Sequence, residues 1–396
     1  MATNTGSAIT APALWLSNEL WTRILAEQPR SSLAAFSRIS KGFFRICTRL
    51  LYSVVILYDY STAPKLLEAL CRQPAFTRHV RILALRWPPQ DAGTDFNKWA
   101  QMVKHALSQK RAPNVERLSL PDMPSTCHWM LAGVRLPKLT HLELGAYLAS
   151  NAKDFLGQNC ATITHLHLTP EPPKGSETKY HSKFDATGFP RMAKLERLAI
   201  SVLPFAPDLV RLHAKTLKAL VLEDSDETWH WNIDRARLYR QCFDALAGEG
   251  RLLHIALRHP DGLGSIARGV VPCPWLESVA TVTVYLCPWA ECSKTCQAAR
   301  PIPKDGNHAR NICRSFPGST AMRFFCGTAS HGERIHDEMS TIVGALELER
   351  GKRPSMRPIT YDDGSQGVSV FWHAYDRDAL PSRHPFNFVV PPAGVL

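Results

Sequence analysis

The sequence lacks the features of membrane-spanning and secreted proteins. No run of about 18 apolar residues, the length that a transmembrane helix needs, occurs among its 396 residues. Residues 1–13 carry no charge and lack the basic start and long apolar core of a signal peptide. The 11 cysteines are odd in number and scattered from Cys47 to Cys326, which argues against a disulfide framework. We therefore expect a cytoplasmic or nuclear protein with reduced thiols.

Motifs of the common enzyme classes are also missing. The chain contains no GxSxG motif, no P-loop and no HExxH motif. Residues 262–267 imitate a dinucleotide-binding fingerprint, but no acidic residue ends the following strand, where ribose binding needs one. We therefore expect no catalytic residues and no cofactor.

A cysteine-rich segment is a candidate for a structural metal site. Five of the cysteines, Cys273, Cys287, Cys292, Cys296 and Cys313, lie close together in sequence. The Cys292–Cys296 spacing suits zinc, yet a matching second pair is missing, so we prefer ordinary thiols to a zinc site. An enzyme acting through this segment is the least favoured class of function.

Charge is concentrated near the amino end of a globular composition. The chain is 45% apolar and 21% charged, with a net charge of +12. Residues 14–57 contain six Lys and Arg and two Asp and Glu, which gives a net charge of +4. No basic stripe with interleaved aromatic residues occurs, so nucleic-acid binding is not favoured. A positive surface of this kind speeds the encounter with an acidic protein.

Residues 14–57 contain three short amphipathic segments. The apolar residues at helical spacing are Leu20, Trp21, Ile24 and Leu25, then Leu33, Phe36 and Ile39, then Phe43, Cys47, Leu50 and Leu51. Ser17 is a candidate N-cap for the first helix, Ser31 or Ser32 for the second, and residues 54–57 are predicted to form a strand. Three helices this short cannot bury all their apolar side chains among themselves, which leaves apolar surface for a partner.

These residues resemble the F-box motif, which opens with Leu-Pro-x-Glu-Leu/Ile and ends in Val/Ile-Ser/Cys-Lys before an aromatic residue. Leu16, Glu19 and Leu20 match the opening, and residues 39–43, Ile-Ser-Lys-Gly-Phe, match the end. The tail at residues 50–57 is similar to that of fungal F-box proteins. Ser17 stands where Pro is usual, and a capping Ser replaces a first-turn Pro at small cost.

The resemblance implies a substrate-recognition subunit of a cullin-RING (SCF-type) ubiquitin ligase, which binds a Skp-family adaptor through the F-box and a protein target through the rest of the chain. The adaptor-facing residues that it implies are Leu16, Leu20, Ile24, Leu25, Leu33, Phe36, Ile39 and Phe43. The alternative is a leucine-rich interaction protein not coupled to ubiquitination, whose first helices only cap the array.

A pattern of three apolar residues at i, i+3 and i+5 recurs behind this region. Its first residues are Val80, Val115, Leu139, Ile163, Leu195, Leu217 and Leu252, with a degenerate copy from Leu276. The spacing of 22–35 residues resembles that of leucine-rich repeats. We therefore predict an α/β fold in which an N-terminal three-helix F-box-like module (residues 14–57) precedes an irregular leucine-rich-repeat solenoid (58–286) and a C-terminal capping region with a tail (287–396). An ordinary α/β domain remains the alternative.

If the predicted strands stack in register, the polar residues between the apolar ones form a continuous surface. The substrate-binding candidates on it are Arg117, His141, Glu143, His165, His167 and Arg197, followed after a later strand by Glu223, Asp224, Trp229 and Trp231. A solvated polar surface explains the same residues without a ligand. A metal held by the histidines and Glu143 is a further alternative that we set aside.

Overall fold

The computed structural model describes residues 16–57, 63–87, 96–108, 112–121, 123–169, 188–223, 235–249, 252–258, 273, 275–285, 305–326, 332–360 and 366–372. Within them one 12-stranded sheet runs through the molecule, and its first ten strands are parallel and lie in sequence order. The strands are β1 (Val54–Leu57), β2 (Ile82–Leu85), β3 (Arg117–Leu120), β4 (His141–Gly145), β5 (His165–Thr169), β6 (Arg197–Ser201), β7 (Ala219–Glu223), β8 (His254–Arg258), β9 (Thr281–Tyr285), β10 (Ala321–Cys326), β11 (Ser355–Thr360) and β12 (Gln366–Phe371).

The last two strands form antiparallel pairs, in which β12 runs opposite to β10 and β11 runs in the same direction as β10. β12 pairs antiparallel with β10, and β11 pairs antiparallel with β12, so the sheet ends in the order β10-β12-β11.

Helices flank the sheet between the strands. They are α1 (Asn18–Ala26), α2 (Arg30–Phe36), α3 (Lys41–Ser53), α4 (Ala63–Arg72), α5 (Pro74–Thr77), α6 (Phe96–Ala106), the 3₁₀ helix η1 (Ser125–Leu131), α7 (Ala146–Asn151), α8 (Lys153–Asn159), α9 (Ala206–His213), α10 (Arg235–Asp244), α11 (Asp305–Ser315) and α12 (Gly332–Arg350).

The prediction of a three-helix module followed by a leucine-rich-repeat solenoid is wrong. The structure is an α/β arrangement built on one sheet of ten parallel strands with flanking helices. The apolar pattern identified the buried positions of successive strands, but such a pattern is common to any parallel sheet whose strands follow one another in order. The connections decide the architecture, and here they vary from one 3₁₀ helix to two consecutive α-helices.

A repeated backbone contact sets the register of the parallel strands. The Glu116 carbonyl oxygen accepts the N–H groups of Thr140 and His141 at 2.9 and 3.0 Å. The same sharing of one carbonyl by two successive N–H groups occurs at the start of every strand from β3 to β10. Because side chains alternate along a strand, a one-residue slip would turn every apolar residue to the other face.

The apolar residues of the pattern form one face of the sheet. Leu142 and Leu166, for example, are opposite each other in neighbouring strands, and both are fully buried. They belong to one continuous core that includes helix residues such as Val103, Leu209 and Phe243. The helices therefore cover this face, and the burial of its aliphatic side chains supplies the main stabilising term of the fold.

The first three helices have a small core of their own. Leu25, Leu33 and Cys47 are buried at its centre, apart from the main core. Ser17 caps α1 as predicted, accepting the Leu20 N–H at 3.3 Å. The prediction for α2 is wrong, since this helix begins after Pro29 without a side-chain cap.

Two contacts tie these helices to the sheet. The Arg30 guanidinium donates to the Val54 carbonyl oxygen of β1 at 2.7 Å. The ring of Tyr52, at the end of α3, stacks on Phe76 of α5 with 4.5 Å between centroids. Helix α3 also continues directly into β1, so the helical region is joined to the first strand of the sheet.

The carboxyl-terminal part of the sheet is held by Arg350 at the end of α12. Its guanidinium donates to the carbonyl oxygens of Phe316 and Pro317 and lies 5.3 Å from the Trp372 ring centroid. The strands β10, β11 and β12 and the helix α12 all lie within residues 287–396, the region predicted to cap the array. The tail predicted at the end of this region lies outside the described residues.

None of the helices in the described part of the chain combines the length and apolar character needed to cross a bilayer.

Gly318 stands where the backbone of the neighbouring segment leaves no room for a side chain. A Cβ atom at this position would lie 2.0 Å from the Glu277 carbonyl oxygen. We expect Gly318→Ala to lower the free energy of unfolding by more than about 2 kcal/mol, since backbone on both sides must shift. Chemical denaturation measures the change. Gly344→Ala is the control, because no atom lies within 4 Å of its added Cβ in α12, and it should be neutral or stabilising.

Candidate functional site

A stripe of exposed apolar side chains runs along α1. Leu20 and Ile24 lie one turn apart on α1 and are 46% and 45% exposed, and Leu16, just before the N-cap Ser17, is 41% exposed. Residues at this spacing lie on one side of a helix. Leu25 is buried, so the same helix packs one side on its own core and presents another apolar side outward. Large apolar side chains exposed together mark an interaction surface.

The inward side of this helical region is an aromatic cluster. The Trp21 and Phe43 rings meet edge to face with centroids 4.9 Å apart. Phe36 stacks on Phe43 at 6.2 Å. These three rings are half-buried and pack against the small core of Leu25 and Leu33. They support the helices that carry the exposed stripe.

The eight predicted adaptor-facing residues therefore fall into two groups. Leu16, Leu20, Ile24 and Ile39 are exposed, whereas Leu25 and Leu33 are buried and Phe36 and Phe43 are half-buried. The predicted adaptor-facing set leaves out Phe44, which is 48% exposed. The spacing contained the signal, since Phe43 is four residues before the buried Cys47 and Phe44 is turned about 100° away.

A basic groove lies beside this stripe, between α1 and α3. It has a volume of about 550 Å³ and is lined by Asn18, Glu19, Thr22, Arg23, Gly42, Arg45, Ile46 and Arg49. Three of the lining residues are exposed arginines and one is acidic. The groove was not predicted, because it joins residues of two helices.

The second candidate surface is the sheet face opposite the apolar core, here called the polar face. Arg117, His141, His165 and Arg197 occupy matching positions on β3, β4, β5 and β6. These four side chains are half-buried. The predicted stacking of the polar residues in register is thus confirmed for these strands. Their role in substrate binding stays a prediction.

His141 and His165 stack on each other within this row. Their ring centroids are 4.0 Å apart, and the rings are tilted by 12°. Each Nδ1 atom lies 2.9 Å from the hydroxyl of the preceding threonine, Thr140 or Thr164. The rings are therefore held in place by their own strands.

The next row contains a buried ion cluster. His167 Nδ1 lies 2.9 Å from Glu143 Oε1, and its Nε2 lies 3.6 Å from Glu223 Oε2. The Ser119 hydroxyl donates to the other oxygen of Glu143. All of these side chains are almost completely covered. Three of the predicted residues, from β4, β5 and β7, thus meet around one imidazole.

The cluster determines the charge of its members. Burial by itself would lower the pKa of His167, but the charge of Glu223 and the hydrogen bonds of both carboxylates raise this pKa to about 10. Burial would raise the pKa of Glu143, and the hydrogen bond and charge of His167 hold it below its usual value. The cluster is therefore an imidazolium between two carboxylates at neutral pH.

Further along the polar face, two arginines surround a neutral histidine. Burial, followed by the charges of Arg323 and Arg197, lowers the pKa of His254 to about 3. His254 Nε2 lies 2.9 Å from the Thr283 hydroxyl. Burial lowers the pKa of Arg197 to about 10 although Glu223 opposes the shift. Positive charge therefore prevails at this end of the face.

The geometry argues against two kinds of chemistry at the cluster. A histidine that stays protonated at neutral pH cannot serve there as a general base. The two carboxylates approach His167 at opposite ring nitrogens, so the ligands do not converge. No group of three His, Cys, Asp or Glu residues suited to a metal occurs in the described segments.

Several sequence candidates lie outside the described residues. These are Asp224, Trp229 and Trp231 of the substrate-binding prediction, Cys287, Cys292 and Cys296 of the cysteine-rich segment, and residues 262–267. The two described members of the cysteine-rich segment, Cys273 and Cys313, are buried. Burial raises the pKa of the Cys273 thiol to about 12, which makes it unreactive.

Comparison with known proteins does not assign the chain to a family. No protein-family model matches the chain, and no curated protein matches it.

We expect His167→Gln to destabilise the protein by about 3–5 kcal/mol at pH 6.5, because two buried carboxylates lose the cation between them. The folded-state pKa of about 10 lies above the usual 6.5, so His167 stabilises the fold fully below pH 6.5 and progressively less up to pH 10. As the pH rises through this window, the difference in the free energy of unfolding between the wild type and the variant should decrease by about 1.4 kcal/mol per pH unit. Urea denaturation measures it. The exposed His105→Gln is the control, and a pH-independent difference would contradict the ion cluster.

The opposite pH dependence is expected of His254→Gln. With a folded-state pKa of about 3, the wild-type histidine takes up a proton more readily in the unfolded state between pH 6.5 and 3. As the pH falls through this range, the free energy of unfolding of the wild type should therefore decrease by about 1.4 kcal/mol per pH unit more than that of the variant. Denaturation curves of both proteins from pH 7 to 5 test this, and parallel curves would show that His254 protonates in the folded protein.

Proposed function

We propose that this protein is a noncatalytic substrate-recognition subunit of a cullin-RING ubiquitin ligase. Helices α1–α3 bind a Skp-family adaptor, and the polar face of the sheet binds the protein target. The subunit acts by holding the target near ubiquitin-transfer enzymes that are recruited through the adaptor. The place of action that fits this role is the cytoplasm or the nucleus.

The observation that carries the proposal is the exposed stripe of Leu16, Leu20 and Ile24. A three-helix region with its own small core keeps this stripe outward instead of turning it toward the sheet. Because apolar side chains gain free energy when covered, the stripe favours a partner protein. The resemblance of residues 14–57 to the F-box supplies the kind of partner.

The polar face supports the second part of the proposal. Its half-buried row of Arg117, His141, His165 and Arg197 spans four neighbouring strands. Parallel strands lie about 4.8 Å apart, so the row is long enough to contact several residues of an extended target segment. The buried cluster around His167 lies beside this row on the same face and joins β4, β5 and β7.

The adaptor part is tested with Leu20→Asp/Ile24→Asp. Both residues are exposed, so the double variant should fold normally, and each carboxylate would have to be buried without a partner in the complex. We expect co-purification of the Skp-family adaptor to fall at least about tenfold.

Leu348→Asp is the matched control, because Leu348 lies on α12 and is 75% exposed. It should retain the adaptor. If the wild type, Leu20→Asp/Ile24→Asp and Leu348→Asp all retain the adaptor equally, the proposed function is wrong. The alternative, an interaction protein not coupled to ubiquitination, would then be favoured.

A further inference from the structure

We infer that the groove between α1 and α3 binds an acidic segment of the docking partner, in which Asp or Glu side chains pair with Arg23, Arg45 and Arg49. The identity of that partner as the adaptor rests on the proposed function. The groove itself stands on its own geometry and charge.

The arginines converge on the groove from both helices. Arg45 and Arg49 are four residues apart on α3, which places them one turn from each other on the same side. Arg23 faces them from α1. All three are exposed, so their guanidinium groups remain hydrated until a ligand arrives.

These arginines differ from several arginines elsewhere in the described chain, which are paired with carboxylates. Elsewhere Arg81 pairs with Glu116 at 2.8 Å, and Arg310 and Arg314 both reach Glu349 at 2.7 Å. Within the described residues no ion pair joins Arg23, Arg45 or Arg49 to a carboxylate. Three guanidinium groups around one groove therefore offer their full hydrogen-bonding capacity to carboxylates, which they contact in a bidentate manner.

Glu19 gives the groove its selectivity. It lies among the three arginines in the groove wall, so the net charge of the charged lining residues is +2. A compact series of two or three carboxylates would match this charge. A long polyanion would gain less, because Glu19 repels it.

The groove and the exposed stripe form adjoining parts of one surface. On α1 the groove-lining residues Glu19 and Arg23 directly precede Leu20 and Ile24, so each is turned only about 100° from a residue of the stripe. A partner that covers the stripe therefore reaches the groove as well. Apolar contact would supply affinity, and the arginines would steer encounter and orientation.

The test uses the full chain and a fluorescent 12-residue peptide with three consecutive glutamates and otherwise uncharged residues, with binding followed by anisotropy at about 50 and about 300 mM NaCl. Arg45→Glu/Arg49→Glu should weaken binding at low salt at least about tenfold and abolish most of its salt dependence. Arg38→Glu/Lys41→Glu is the matched control, because it changes the net charge equally at exposed positions outside the groove lining. It should bind like the wild type.

Three outcomes would overturn the inference. The first is equal loss in both double variants, which would make the effect one of net charge alone. The second is unchanged peptide binding by Arg45→Glu/Arg49→Glu. The third is tighter groove-dependent binding of a single-stranded RNA of the same length, which would assign the groove to nucleic acid.

Adaptor binding separates this inference from the proposed function. Leu20→Asp/Ile24→Asp should lose the adaptor but still bind the peptide, whereas Arg45→Glu/Arg49→Glu should weaken both. If Leu20→Asp/Ile24→Asp retains the adaptor while the peptide results hold, the groove stands and the ligase role fails. If the loss of the adaptor in Leu20→Asp/Ile24→Asp is observed but the expected peptide results are not, the ligase role stands and the inference about the groove fails.

Discussion

The structure depends on the shared carbonyl at the start of each parallel strand. Because one oxygen accepts two successive N–H groups of the next strand, from β3 to β10, each strand begins at the same level as its neighbour. This register sends Leu142, Leu166 and their counterparts to the helices and leaves the polar residues between them on the other face. The apolar core and the polar face thus result from one backbone arrangement.

Burial of charge on the polar face requires that the charges compensate one another. A buried carboxylate or imidazolium alone would cost several kcal/mol, whereas Glu143, His167 and Glu223 approach within a few ångströms of each other. The three residues come from β4, β5 and β7, so they meet only when the strands from β4 to β7 have paired. Their ion cluster therefore links the surface proposed for the target to the integrity of the sheet beneath it.

The helical region of α1–α3 is stabilised by only a few buried residues. Its small core around Leu25, Leu33 and Cys47 holds three helices together, while Arg30 and Tyr52 attach them to the sheet. With so few buried residues, much of the surface stays apolar or basic. Because the small core covers only part of each helix, the exposed stripe and the basic groove remain on the outer surface of the helices.

The sequence by itself determined which residues alternate between core and surface, because periodicity is a local property of the chain; the strands following Val115, Leu139 and Ile163 and the N-cap Ser17 were predicted in this way. Resemblance supplied the expected partner but not the architecture. The irregular connections, the antiparallel end of the sheet and the groove of Arg23, Arg45 and Arg49 were decided only by tertiary structure. Each of these features depends on the distance between residues far apart in sequence, which no local spacing records.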